Sequence, residues 1–591
     1  MKISLFMVAL GLAAAPAAAQ ERDPLAPIGD EPEAPAQRPD DPPSPTSAPA
    51  VAAPLPAFVQ PAPKPVVVPT NWRGVFTAIR RREWGSAAAG IDYLPRGPLS
   101  AVARAELYTA KGSPAVDLGR IQSLLAEAPD LPHAEQLARL AVARGAIEPP
   151  AVVPRRRIVG LGSAPRRQRA RPVSGEALAN QLRSALDPLI KNNLATDAEA
   201  LLIQQGPYLS TEARAEAGQR VAWVYYVLGR DLDARRLADS WRAGAAGEWA
   251  PHAAWISGLA SWRLNDCEAA SRSFREVAAT SRDRELSAAG YYWAARSEQA
   301  CRRPRAVAPL LKLAARNVES FYGLVARETL GAPTRLPPDP HSFASQVENL
   351  PNVRRAVELV NIGERALGEE MLRHQSKIGL ASQHHGLIEF AKRLDLAGAQ
   401  FWLAHNGQRG AVADASDRYP MPRWMPLQGW RIDPALALAH ARQESNFRIE
   451  VVSPAGAIGL MQVRPGTASD MARRRNIPFA QSNVVDPILN LEYGQSFIEL
   501  MRSSGATRGQ LPRVIAAYNA GPLPVGRWLN IHDKGDPLLW MESITYWETR
   551  YYVPAVLRNM WIYQGMQNAR TPTLKAIAEH HWPAFPAQPA R

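Results

Sequence analysis

From Asn71 to about Gly145 apolar positions fall at helical spacing, as in Val75-Phe76-Thr77-Ala78-Ile79 and from Ile121 to Leu125. Turns at Pro95-Arg96-Gly97-Pro98 and Gly112-Ser113-Pro114 punctuate this stretch. Between 148 and 172 the pattern breaks into prolines and arginines, with Arg155, Arg156, Arg157, Arg166, Arg167, Arg169 and Arg171, and reads as a basic loop. Such a loop is solvated or touches an anionic surface. Helical spacing returns from Gly175 to about Gly331, and there it repeats. Ala222-Trp223-Val224-Tyr225, Ala254-Trp255-Ile256 and Tyr292-Trp293-Ala294 each lead through a turn into a second apolar stripe. A period in the mid-thirties is that of stacked helical hairpins, which bury one another's apolar faces. Trp223, Trp255, Trp262 and Trp293 are therefore expected to be packing residues. A further helical stretch runs from Phe343 to about Gly407, and the last boundary is Tyr419-Pro420-Met421-Pro422.

At 591 residues the chain is too long for one domain. Lys2, the apolar run Leu5 to Ala15 and the small residues Ala17-Ala18-Ala19 have the layout of a secretory signal peptide, and the apolar run is too short to span a bilayer. From Glu21 to about Thr70 proline, alanine and aspartate dominate, a composition that buries too little surface to fold. Only two cysteines occur, Cys267 and Cys301, at equivalent turns of successive hairpins, and they form a disulfide candidate. The net charge of +14 favours an anionic partner. Nucleic acid is not expected, because an exported chain rarely meets it and no motif for it is present. His384-His385 and His580-His581 lack a suitable grouping for a metal, no phosphate-binding glycine motif is evident, and no cofactor is expected.

The chemistry concentrates near the C-terminal end. Asp433 and Pro434 open a helix that is apolar nearly all round and ends at Glu444, where Ser445-Asn446-Phe447 stops it. A carboxyl at the negative end of a buried helix has its pKa pushed upward, as a general acid needs near neutral pH. A loop rich in small residues follows, Ser453-Pro454-Ala455-Gly456-Ala457-Ile458-Gly459-Leu460-Met461-Gln462, which lets backbone approach a ligand. Thr467 is a candidate cap of the next helix, and Asp486-Pro487 starts another. Ala516-Ala517-Tyr518-Asn519-Ala520-Gly521 closes an apolar helix; Tyr518 is either a core aromatic or the residue that holds Glu444 or a sugar hydroxyl. Glu548-Thr549-Arg550-Tyr551-Tyr552-Val553 adds a fourth segment, in which Glu548 and Arg550 are able to pair.

Taken in order, Glu444-Ser445, Gly459-Leu460-Met461-Gln462, Ala517 to Gly521 and Glu548 to Val553 resemble the motif set of the soluble lytic murein transglycosylases. The resemblance is dense over the last 150 or so residues. It implies an all-α chain with a ring-like superhelix of helical hairpins, a helical linker domain and a C-terminal lysozyme-like domain. Composition and pattern set the boundaries at 1–20 for the signal peptide and 21–70 for the disordered linker, and with the resemblance they give 71–335 for the superhelix, whose basic loop at 148–172 is no core feature of that family. They continue with 341–410 for the linker domain, 419–572 for the lysozyme-like domain and 573–591 for a C-terminal tail. By resemblance Glu444 matches the catalytic acid, and Ser445, Ser453, Gly459, Gln462, Tyr518, Asn519 and Glu548 form the substrate-binding set. Arg464 departs from the apolar residue, commonly Met, that relatives carry.

The implied reaction is cleavage of the bond between N-acetylmuramic acid and N-acetylglucosamine in peptidoglycan, with a 1,6-anhydromuramic end as product. One Glu serves as acid and then as base. The implied setting is the periplasm, without stable membrane insertion, and the implied partners are glycan strands and other cell-wall enzymes. Two other readings stay open: hydrolysis on the same fold, as in goose-type lysozymes, and a non-catalytic wall-binding scaffold.

Overall fold

The computed structural model describes residues 66–337 and 347–586, so the signal-peptide reading and all but the end of the Pro/Ala-rich linker lie outside the described residues. Helices dominate. Among the described residues the only strands are two of three residues each. The chain divides into two compact units, and among the described residues each is built from two separate stretches of sequence.

One unit takes described residues 66–161 and 347–413. Its helices begin with Trp72–Arg80, capped by Asn71, and end with Ala397–His405. They share one core, in which Val75, Leu124 and Leu137 from the first stretch pack with Leu359, Leu372 and Leu403 from the second. The short strand Ile158–Gly160 pairs antiparallel with Asn406–Gln408, Ile158 lying opposite Gln408. The expected superhelix over 71–335 is thus divided, its first helices sharing a core with those expected as a linker domain.

The other unit takes described residues 162–337 and 414–586. Its hairpins are Thr211–Val227 with Asp231–Trp241, Trp249–Arg263 with Cys267–Thr280, and Arg284–Ala300 with Pro304–Ala314. Their aromatic side chains pack inward: Trp223, Trp255 and Trp293 are all at most 4% exposed. Trp262 is only partly buried and stacks on Arg296. Helices here touch closely. A Cβ on Gly290 would stand 2.8 Å from the backbone of Phe274 and Ala278, so only glycine permits that approach. Cys267 and Cys301 are joined in a disulfide, their Cα atoms 5.5 Å apart.

The arginine segment is not a free loop. Arg167 donates to Glu542 at 3.1 Å with both side chains 3% exposed or less. Its guanidinium lies over the rings of Trp255 and Tyr551. The backbone around it is also held: Gln168 N–H donates to Asp283, Arg171 N–H to Glu248, and Trp249 Nε1 to Arg171 O. The spacing of charge along the sequence announces a solvated loop, whereas a carboxylate and two aromatic faces in the fold take up one arginine completely. Arg155, Arg156, Arg157 and Arg166 remain exposed. The segment read as a C-terminal tail begins with a folded helix, Pro572–Ala578, whose Leu574 and Ile577 are fully buried.

Among the described residues no helix is long and apolar enough to cross a membrane.

Candidate active site

The helix Pro434–Ser445 carries Glu444 one residue from its end. Asp433 caps its start, accepting from Ala435 N–H at 2.9 Å, and its second oxygen accepts from Gln564 at 2.7 Å. Ala435 through Arg442 are all buried. Asn446 and Phe447 take left-handed backbone angles and stop the helix. The helix packs on Trp547–Met566 and Pro487–Arg502.

Glu444 is partly buried and lines a cleft of about 470 Å³. Ser453, Gln462, Arg464, Thr467, Tyr518, Asn519 and Glu548 line it too. Burial, the largest influence, pushes the Glu444 carboxyl up to about 8; a hydrogen bond from Tyr552 works against this and the charge of Glu548 adds to it. At neutral pH Glu444 therefore keeps its proton. Tyr552 donates to Glu444 Oε1 at 2.5 Å. Burial and the charge of Glu444 also raise the phenol pKa values of Tyr518 and Tyr552 well above the usual range, so both stay protonated.

The glycine-rich loop folds through bridges of Ile458 with Val452 and with Val463. Ser453 closes it by accepting from Ala457 N–H at 3.0 Å. Gln462 has a positive φ and donates through its amide nitrogen to Val451 O and Gly459 O. That leaves the amide oxygen as the acceptor it offers the cleft. Asn519 donates to Glu548 at 3.2 Å and accepts from Thr549 at 2.6 Å.

Two of the expected binding residues stand behind the wall instead of in it. Ser445 is 1% exposed, and its hydroxyl donates to Leu460 O at 2.7 Å, tying the helix end to the loop. Gly459 is buried with φ +78°, and a Cβ there would meet Asn490 Nδ2 at 2.6 Å. Both shape the cleft without lining it. Tyr518 lines it, but its hydroxyl donates to Met461 O at 2.7 Å. The tyrosine that holds Glu444 is Tyr552, one helical turn beyond Glu548. Thr467 lies inside the helix Pro465–Arg474 and does not cap it. Arg550 donates to Ile544 O and Thr545 O, and its guanidinium lies 3.7 Å from the ring centre of Trp223.

Residues 425–540 match the family described as the transglycosylase SLT domain. The soluble lytic murein transglycosylase of Escherichia coli K12 is 31% identical over 275 residues, 44% of this chain and 41% of the relative. The putative soluble lytic murein transglycosylase of Haemophilus influenzae is 34% identical over 221 residues, 34% of this chain and 37% of the relative. The matched part thus spans well under half of either relative's length. A solved structure of the lytic transglycosylase Slt of Pseudomonas aeruginosa, an inactive mutant, superposes with a TM-score of 0.50 at 20% identity, covering 85% of this chain and 86% of that one. This likeness is one of fold. Residues 425–540 are therefore similar to the transglycosylase SLT domain, and over that part and its flanks the chain is similar to the soluble lytic murein transglycosylases.

Proposed function

We propose that this chain is a periplasmic lytic transglycosylase that cuts the β-1,4 bond between N-acetylmuramic acid and N-acetylglucosamine. The observation that carries the reading is Glu444, a carboxyl lining a cleft, kept protonated by burial and gripped on one oxygen by Tyr552. Protonated Glu444 gives its proton to the glycosidic oxygen as the bond to the anomeric carbon breaks. The neighbouring N-acetyl oxygen steadies the positive carbon. The Glu444 carboxylate then takes the proton of the sugar's own C6 hydroxyl, whose oxygen closes on that carbon and forms the 1,6-anhydro ring. The proton is returned and no water is consumed. In this reading Gln462, Ser453, Asn519 and Glu548 receive the sugar's amide and hydroxyl groups.

Glu548 supports a second reading. It is another carboxyl lining the same cleft, and a pair of carboxylates is what hydrolysis by water ordinarily uses. Mass spectrometry of purified peptidoglycan digested by the mature protein separates the two. Anhydromuropeptides from the wild type, absent with Glu444→Gln, are expected. Reducing ends would mean hydrolysis, and no product from folded protein would leave a wall-binding scaffold.

A further inference from the structure

His440 lies one helical turn before Glu444, is 1% exposed, and has no part in the reaction described above. Its Nδ1 is 2.8 Å from the Tyr552 hydroxyl, the same hydroxyl that donates to Glu444 Oε1. The ring of Tyr518 covers it at 4.5 Å between centres. Its other nitrogen, Nε2, is buried without a hydrogen-bond partner.

The proton of a neutral imidazole resides on one nitrogen or the other, and its surroundings decide which. With the proton on Nε2, a buried N–H would be orphaned, and Nδ1 would draw the Tyr552 proton away from Glu444. With the proton on Nδ1, the buried nitrogen keeps only an unused lone pair. The chain then runs in one direction, from His440 N–H to Tyr552 and from Tyr552 O–H to Glu444. Burial also pushes the imidazole pKa down to about 3, so the doubly protonated form does not compete.

We propose that His440 is a positioning residue for Glu444, setting the direction of the Tyr552 hydroxyl so that Oε1 is always an acceptor and the acid's proton stands on Oε2. The inference rests on the transglycosylase reading for its consequence, not for its geometry. When Oε2 has given up its proton, the carboxylate is met by a Tyr552 O–H already polarised by His440, and no proton moves along the chain. The other titratable groups around Glu444 are Glu548 from the helix of Tyr552 and Tyr518 from Leu511–Ala520, and Arg464 lines the same cleft. None of these can replace the N–H that His440 supplies to Tyr552.

The test is a pair of variants read in two ways. His440→Leu removes the donor, and His440→Asn puts an amide nitrogen where Nδ1 stood. The hydrogen-bond chain favours ionised Glu444, so its loss raises the carboxyl pKa further. In ¹³C NMR of the full chain with labelled glutamate carboxyls, the Glu444 signal is the one lost in Glu444→Gln. Its titration midpoint is expected to rise by about half a unit or more in the Leu variant and to return in the Asn variant. The alkaline limb of peptidoglycan cleavage should move up with it, with kcat lower by roughly tenfold and KM within about twofold. In a Tyr552→Phe background His440→Leu should leave the midpoint where it was, and that comparison also serves if the single variant folds poorly. An unchanged midpoint in His440→Leu, whatever happens to activity, overturns the inference. A shifted midpoint in a protein that cleaves nothing upholds it and sinks the transglycosylase reading instead.

Discussion

At the scale of single residues, Glu444 gives a sign that can be checked. In the unfolded chain its carboxyl ionises near 4.5, and in the fold it ionises near 8. Folding thus takes up a proton between these values. The stability of the buried neutral acid is fully present below about pH 4.5 and is lost as pH rises through 8. Glu444→Gln escapes this loss. It is expected to raise stability on the order of 1–3 kcal/mol at pH 7 and to be near neutral at pH 4, seen as a higher melting temperature at the first pH alone. Glu444 itself was legible in the sequence, because the capped, apolar helix and its abrupt stop are local features. Tyr552 and His440 were not. Tyr552 is 108 positions from Glu444, and only the packing of one helix on another brings it there. The faint signal was spacing, with His440 four before Glu444 and Tyr552 four after Glu548, one helical turn in each case. Ser445 misled for the opposite reason. Its neighbour points into the cleft, and a helix turns the next residue away.

Among elements, the hairpin array was the most legible part, since its repeat is written in the spacing of the aromatic residues. The disulfide follows from that repeat, which sets Cys267 and Cys301 at matching ends of neighbouring hairpins. A closed loop of 34 residues restricts the unfolded chain by about 3–4 kcal/mol in the loop-entropy account. Replacing both cysteines by serine should lower the denaturant midpoint of this unit accordingly, and reducing agent should then have no further effect. A midpoint unmoved by both treatments would mean that the bridge contributes nothing to stability. The basic segment was legible only as charge. The sequence supplies no hint that Arg167 would find Glu542, because its partner is 375 residues away.

For the molecule as a whole, Arg167 is a cross-brace within its unit, joining the segment at 165–171 to the helices Trp249–Arg263, Pro537–Ser543 and Trp547–Met566. Arg167→Ala leaves Glu542 buried with its bond from Tyr322 but no cation. A loss of about 3–5 kcal/mol is expected, read as a lower unfolding midpoint, and Arg167→Met with Glu542→Gln should recover part of it. What the sequence did not disclose at this scale was which helices share a core. Each apolar stripe shows that a helix has a hidden face, but not what hides it. Val75 and Leu403 meet in one core across more than half the chain. That arrangement sets a timetable for synthesis. Among the described residues the chain passes between the two units three times, so neither is a continuous stretch. The helices from Trp72 to Ala143 leave the ribosome before the helices that cover them, which follow only after some two hundred further residues have been made. At roughly 5–20 residues per second they wait for ten seconds or more with leucines and valines facing water. A chain with this weave keeps those faces uncovered until its second stretch has been made.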